Sequence, residues 1–502
     1  AAGSKGGNAT CPFCGTVADS AYVKTEGCAK RMGQQLMTIG CIRPGHRGKV
    51  FLSADDVGGA QPDESSIQER IADICSRTGL SIPSEPIVTD AKNSNWTSLY
   101  GLVTFGDLFT SRQLLYLLTL ASCVRQAHAE MISSSCEAER ARAVASYLGI
   151  LLDRQADYDS TVCVWESGGQ FIKSTFAQKG LPLVWDFVEL APFGDASGSP
   201  QGALVWIIGV IDALLSATGS PASVVRGSAM NLPWPDRSLD AVVSDPPYYD
   251  NVPYADISDF FFVWLKRTVG HLYSEHFSTE GTPKKAEAVA DAVRHDGDKR
   301  KAKRAYEAMM EVAFGESCRV LKAHGMMVIV YAHKTTLGWA TLVDALRRAG
   351  FTVTEAWPFD TERPGRVRAI ASAALASSIF LVARKREGAL TGSYEDGVRP
   401  ELERIVRERV DSLWKMGITG ADLVIAAVGA GLRAFTRFSR VEYANGEEVP
   451  AEKFLAEVEG VVLETLLEKI FGVTGSGVAA VDGPSRFYVL WRYAYKAAEM
   501  DA

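Results

Sequence analysis

The residues best suited to chemistry lie in one segment, residues 242–251, which reads VVSDPPYYDN. Methylation of an exocyclic base amine needs two acceptors that take the amine hydrogens and leave its lone pair aimed at the methyl donor. Asp245 and the carbonyl of Pro246 can be those acceptors. Pro246 and Pro247 stiffen the backbone and lack an N–H that would compete for the base. Tyr248 offers an aromatic face on which the base can stack.

The same four residues, Asp245 to Tyr248, also fit a proline-stiffened turn in which Asp245 only caps the backbone. Within the chemical interpretation, cytosine N4 or an RNA base would use nearly the same residues as adenine N6. A base paired inside a duplex cannot reach such a site, so a DNA enzyme would flip it out of the helix. The motif therefore predicts amine chemistry on an unpaired base.

Neighbouring residues extend this predicted site. Tyr249, Asn251 and Tyr254 follow the motif closely enough to help hold the base, and Lys334 comes at the end of a later apolar run. Upstream, residues 227–229 (Gly227, Ser228 and Ala229) resemble the loop after the third strand of methyltransferases that use S-adenosylmethionine. That resemblance predicts contacts from these three residues and Asp245 to the donor.

The elements that must position these residues follow from the apolar pattern. Five short runs predict strands: residues 223–226, 239–244, 326–332, 351–357 and 378–384. The second and third are largely apolar runs, which is typical of strands buried on both faces. Helical periods lie between the later runs, and alternation of strand and helix predicts a doubly wound α/β sheet. Residues 62–107 predict only short strands or turns.

Residues 245–265, reading DPPYYDNVPYADISDFFFVWL, resemble the large zinc-ribbon-bearing adenine-specific DNA methylases of bacteria and archaea. The resemblance covers nearly the whole chain. It implies transfer of a methyl group from S-adenosylmethionine to adenine N6 in DNA, with Asp245, Pro246, Pro247 and Tyr248 as the catalytic motif. It also implies a class I, Rossmann-like sheet whose strands run in the spatial order 3-2-1-4-5-7-6.

One expected part is missing from the sequence. Such enzymes hold the donor in a glycine-rich loop, Asp-Pro-Phe-x-Gly-x-Gly, after the first strand, and no such loop precedes Asp245. If residues 223–226 are strand 3 and 239–244 strand 4, no room remains for strands 1 and 2. The expectation is an incomplete sheet, resembling the carboxyl-terminal portion of a longer enzyme, whose donor loop comes from an upstream segment or a partner chain. A permuted first strand at residues 424–431 is a rival placement.

The alternative to an enzyme is a non-catalytic subunit that binds nucleic acid. Such a subunit would keep the base pocket but could not bind the methyl donor. In either case DNA is the expected partner. The basic run at residues 299–304 could touch phosphates, although such runs more often form a solvated helix start.

Cys11 and Cys14, in the sequence CPFCG, form half of a zinc knuckle, since two thiolates this close can grip one ion. Tetrahedral zinc needs two further ligands. Cys28, Cys41 and His46 are available in sequence, and the resemblance instead places the second pair upstream. The alternative is a pair of ordinary thiols in a turn. Zinc at Cys11 and Cys14 is thus a second cofactor expectation, after S-adenosylmethionine.

Composition sets wider bounds. The 502 residues carry a formal net charge of −7, so a polyanion would need a local basic patch. No apolar run reaches the length of a bilayer span, and the amino end has no signal core, which predicts a cytoplasmic protein without a membrane partner. Four domains are predicted: a partial zinc-ribbon-like module (1–58), an α-rich target-recognition insert (59–180), the methyltransferase domain (181–390) and a helical region (391–502).

Overall fold

The structure is a computed structural model, and the chain is mixed α/β. It describes residues 7–11, 13–57, 63–88, 96–177, 180–194, 198–216, 219–247, 249, 252–331, 336–359, 378–418, 420–472, 482–486 and 488–489. The chain divides into two compact units. Unit 1 comprises Ala1–Ala222 and Pro253–Glu287, and unit 2 comprises Ser223–Val252 and Ala288–Ala502. The division into two units does not test the four predicted domains, which remain a prediction.

Unit 1 is built mainly from helices. Its helices are α1 (Ser20–Cys28), α2 (Glu64–Thr78), α3 (Ser111–Ser133), α4 (Ala138–Tyr158), α5 (Pro200–Leu215) and α6 (Tyr254–Thr268). The described part of unit 1 also contains three small antiparallel hairpins: β1 (Ala9–Thr10) with β2 (Val17–Ala18), β3 (Thr38–Ile42) with β4 (Lys49–Ser53), and β5 (Val164–Glu166) with β6 (Phe171–Lys173).

Helix α2 corrects the expectation of only strands and turns at residues 62–107. Asp63 caps it by accepting a hydrogen bond from the Ser66 N–H, and Ile67, Ile71 and Ile74 bury one face. This i, i+4, i+7 spacing is helical, and the core it enters also contains Phe260 and Trp264 of α6. The local signal was therefore present in the sequence.

Four of the described strands of unit 2 form a sheet in the order β7-β8-β10-β9. Strand β7 is parallel to β8, and β10 is antiparallel to both β8 and β9. The strands are β7 (Leu239–Ser244), β8 (Leu321–Tyr331), β9 (Phe351–Phe359) and β10 (Ser378–Lys385), and β11 (Thr391–Ser393) pairs separately with β12 (Arg440–Glu442). The helices are α7 (Lys299–Val320), α8 (Thr336–Arg348), α9 (Arg399–Lys415), α10 (Ala421–Thr436) and α11 (Ala451–Phe471).

Four of the five predicted strands are confirmed, and the strand at residues 223–226 is wrong. That segment forms no strand, and Val224 and Val225 are 91% and 53% exposed. A β-strand needs a hydrogen-bonded neighbour, and among the described strands β7 pairs with β8 alone. The β-branched residues favour an extended chain but cannot replace a missing neighbour.

The two faces of the sheet differ. Residues on one face, such as Met327, Ile329 and Leu381, are at most 1% exposed and belong to the main core, which the unit 2 helices complete. Paired residues on the other face are apolar too, yet Val243 is 71% exposed and Phe359 53% exposed. The prediction of burial on both faces is therefore wrong for the described chain, which buries only one.

The rival prediction of a first strand at residues 424–431 is wrong, because these residues lie in helix α10. Its Gly429 faces β9 so closely that a Cβ atom there would lie 2.4 Å from the Cβ of Ala356. A Cβ on Gly431 would lie 2.8 Å from Cγ1 of Val458 on α11. These glycines therefore allow close helix packing, and residues 424–431 are helical.

Candidate functional site

Asp245 lies immediately after β7 ends at Ser244, at the carboxyl edge of the sheet. Its side chain is exposed, whereas Pro246 is buried and Pro247 half-buried. Ligands of open α/β sheets bind outside this edge. The local sequence explains the placement, because an apolar strand ends where two prolines can no longer donate to a β-ladder. An exposed carboxylate on a buried, stiffened backbone can accept hydrogen bonds from a ligand.

Hydrogen bonds from α7 and from the loop before it hold the motif backbone. The hydroxyl of Tyr306 donates to the carbonyl of Pro247 over 2.7 Å, and the N–H of Ala290 donates to the carbonyl of Tyr249 over 3.1 Å. The rings of Tyr249 and Tyr306 meet edge to face, with centroids 5.5 Å apart. These contacts lie within unit 2. Tyr249 is therefore a supporting residue beside the motif as well as a candidate to touch the base.

Tyr306 is the residue that sequence reasoning missed. Its spacing places it on the apolar face of α7, so the sequence predicts a core residue, and it is indeed 2% exposed. The one available signal is chemical, because a buried tyrosine hydroxyl normally has a hydrogen-bond partner. Nothing in the spacing of α7 identifies that partner as Pro247.

Three of the predicted motif and substrate residues, Tyr248, Asn251 and Lys334, lie outside the described residues. Tyr254 is described, and it begins α6 in unit 1 with 56% of its surface exposed. Asp259 is 4% exposed within α6 and accepts hydrogen bonds from the N–H and hydroxyl of Thr282, because a buried carboxylate needs partners.

Charged side chains surround Tyr249 on the helix side. Lys303 of α7 lies 3.2 Å from Glu452 and 3.7 Å from Glu307. Burial raises the pKa of Tyr249 above its ordinary value of 10.0, so its phenol stays neutral. The basic run at residues 299–304 forms the first turns of α7, and Asp298 caps this helix. Within the run, Lys303 is paired with the carboxylates of Glu452 and Glu307.

The predicted donor-contact residues Gly227, Ser228 and Ala229 form an exposed turn, in which Ser228 bridges to Asn231. No described strand supports this turn, since β7 has only β8 beside it. The described residues therefore do not form the cradle that S-adenosylmethionine requires. They do not fit the donor, although the exposed carboxylate of Asp245 can accept hydrogen bonds.

Cys11 and Cys14 lie at the turn between β1 and β2. The N–H of Gly15 donates to the carbonyl of Cys11, and Gly15 adopts a φ of 74°, a left-handed conformation suited to glycine. The hydroxyl of Thr16 lies 3.3 Å from the Cys14 sulfur. Hydrogen bonding from Thr16 lowers the pKa of Cys14 to about 7, so thiolate forms readily.

In the described part of the chain, no group of three or more His, Cys, Asp or Glu side chains is arranged to hold a metal ion. The thiolate chemistry of Cys14 suits zinc, but the remaining ligands are not identified, so zinc stays a prediction. Across the same residues, no helix has the length and apolar character needed to cross a bilayer. Comparisons with protein-family models, curated proteins and solved structures found no match.

Proposed function

We propose that this chain carries the acceptor side of an amino methyltransferase, with adenine N6 in DNA as its first candidate substrate. The observation that carries the proposal is the exposed Asp245 at the carboxyl end of β7, on a backbone fixed by Pro246 and Pro247. Asp245 and the Pro246 carbonyl would accept the amine's two hydrogens. No strong general base is required, because the amine can lose its proton during or after attack.

The sheet of unit 2 supports this proposal. Its order, β7-β8-β10-β9, with only β10 reversed, corresponds to strands 4-5-7-6 of the methyltransferase order 3-2-1-4-5-7-6. In that correspondence β7 is strand 4, the strand that bears the catalytic motif. Strands 1, 2 and 3 would continue from the edge of β7 that no described strand pairs with, and strand 1 would bring the donor loop. The proposal therefore assigns the donor site to an upstream segment or a partner chain.

A specific observation favours a second function. The exposed turn at residues 227–229 does not form a donor cradle. A chain with an acceptor site and no donor site would act as a nucleic-acid-binding subunit without catalysis of its own. Both functions predict recognition of a base amine, and they differ in donor binding.

Amine recognition can be tested with a matched pair of ligands. The first is a fluorescein-labelled thymine oligonucleotide with one central adenine, and the second carries purine, which lacks the amine, at that position. Loss of a good paired hydrogen-bond contact to a base costs ~1–3 kcal/mol, so we expect roughly tenfold tighter binding of the adenine ligand. Replacing adenine by cytosine, or the DNA by uracil RNA with one adenine, tests the other two substrates.

Asp245→Ala is expected to abolish the preference for adenine over purine. Asp240→Ala is the matched control, because Asp240 lies at the other end of β7, where its 84% exposed side chain pairs with Lys322. Equal binding of adenine and purine ligands by the wild-type chain would reject the acceptor site. Calorimetric titration with S-adenosylmethionine, with tritiated methyl transfer, then separates the functions: donor binding with Asp245-dependent transfer indicates an enzyme, and adenine preference alone indicates a binding subunit.

A further inference from the structure

The side chain of Tyr306 connects α7 to the Asp245 motif. It is 2% exposed, and its hydroxyl donates a 2.7 Å hydrogen bond to the carbonyl of Pro247. Burial raises the pKa of Tyr306 above its ordinary range, so the hydroxyl keeps its proton and remains a donor. The bond joins residues that are 59 positions apart in the sequence, so it is a tertiary contact that folding of unit 2 creates.

The chemistry of the motif makes this bond more important than an average tyrosine contact. Pro246 and Pro247 have no N–H, so hydrogen bonds can hold the backbone here only through its carbonyls. Each proline ring also fixes φ, which leaves few backbone torsions free. One anchored carbonyl at Pro247 therefore restricts the direction of the preceding carbonyl, which belongs to Pro246.

The ring of Tyr306 contacts the same segment two residues further along. It meets the Tyr249 ring at an interplanar angle of 87°, and the Tyr249 carbonyl accepts a hydrogen bond from Ala290. The Tyr306 hydroxyl and ring thus contact positions 247 and 249. Either contact alone would suit a core residue, but together they hold two points of the segment that follows Asp245.

We propose that Tyr306 is a positioning residue of the acceptor site. By anchoring Pro247 it holds the Pro246 carbonyl at the spacing from Asp245 that an exocyclic amine requires. This inference rests on the proposed function for its purpose, while the anchoring of the backbone stands on the contacts of unit 2. Tyr306 does not itself touch the substrate.

The test variant is Tyr306→Phe, which removes the hydroxyl and keeps the ring. The control is Tyr394→Phe, which also removes a buried tyrosine hydroxyl of unit 2, one that contacts Glu457 of α11. The first readout is hydrogen exchange of the Ala290 amide, which reports on the backbone at Tyr249. The second is the ratio of adenine to purine binding, measured with the paired oligonucleotides.

For Tyr306→Phe we expect Ala290 exchange to rise about tenfold and the adenine-to-purine ratio to fall about three- to tenfold, the effect of one hydrogen bond. Tyr394→Phe should change neither. A purely structural role would lower stability in both variants and leave the ratio unchanged, which would overturn the proposal. Unchanged Ala290 exchange in Tyr306→Phe would overturn it as well.

The exchange readout separates this inference from the proposed function. If the wild-type chain binds adenine and purine equally, the acceptor site is rejected, and faster Ala290 exchange in Tyr306→Phe would still establish the anchor. If the wild-type chain prefers adenine and Tyr306→Phe keeps the full preference, the acceptor site stands and the positioning role is rejected.

Discussion

Asp159 gives unit 1 a pH-dependent stability that one substitution should remove. The residue follows α4 and is 1% exposed, and its Oδ1 accepts hydrogen bonds from the Leu190 N–H (2.8 Å) and the Gln113 amide (3.0 Å). Burial raises the pKa of this carboxyl from 3.8 to about 7. Both hydrogen bonds use one oxygen, so Asp159→Asn can keep both while removing the ionisable group.

The raised pKa of Asp159 determines how its contribution to stability changes with pH. The folded state of unit 1 binds the Asp159 proton more tightly than the unfolded state, so the stability that this residue contributes is fully present below about pH 4 and is lost as the pH rises to about 7. A difference of about 3 pKa units corresponds to about 4 kcal/mol above that window. Between about pH 5 and about pH 8 the wild-type chain should lose about 2–3 kcal/mol that Asp159→Asn does not lose.

The assay is urea unfolding followed by hydrogen-exchange mass spectrometry on peptides that cover Gln113 and Asp159, because two compact units need not unfold together. The quantity to compare is the difference between variant and wild type at the two pH values, which cancels other titrating groups. Asp73→Asn is the control, since that side chain is 63% exposed and should change stability by less than about 0.5 kcal/mol. A pH-independent difference for Asp159→Asn would refute the reasoning.

Two further predictions concern packing and the thiol pair. Gly429→Ala should destabilise unit 2 by about 1–3 kcal/mol, because the added Cβ would lie 2.4 Å from the Cβ of Ala356. Gly460→Ala, whose added Cβ would meet no atom within 4 Å, should instead stabilise α11 by up to about 1 kcal/mol. Urea unfolding measures both free energies, and equal effects of the two substitutions would contradict the close contact at Gly429. The rate at which Cys14 reacts with iodoacetamide should rise with pH, with a midpoint near about pH 7. Thr16→Val should move this midpoint to higher pH, and an unchanged midpoint would exclude the Thr16 hydroxyl as the cause of the lowered pKa.

Residue patterns predicted the later strands well because their signal is local. Runs such as Leu239–Ser244 and Ser378–Lys385 are apolar and bounded by prolines, charges or helical periods, and the structure gives them nearly the same bounds. The strand predicted at residues 223–226 failed for a non-local reason, since pairing depends on a neighbour that the run itself cannot reveal. Helix α2 was missed although Asp63 and its isoleucines signalled it.

The candidate site was predictable in part for the same reason. Asp245 follows directly from the strand and the proline pair, which are adjacent in sequence. Tyr306 could not be predicted, because its bond to Pro247 depends on how α7 packs against the end of β7. Chemistry that depends on residue type was visible in the sequence, and support that depends on packing was not.

Among the described residues, β7 has no strand on its outer edge and one face of its sheet is exposed, and the handedness of α/β connections links the two. The connection from β7 through α7 to β8 places its helix on the buried face. Parallel crossovers are almost always right-handed, so strands that continue the sheet beyond β7 in the opposite direction must carry their helices on the opposite face. That face holds Val243 and Phe359, which are apolar and exposed in the described chain. A βα segment added at the edge of β7 would therefore pair that strand and place its helix on this second face. It would also make the carboxyl end of β7, where Asp245 lies, the point at which the strand order reverses, and such points are where open α/β sheets bind their ligands.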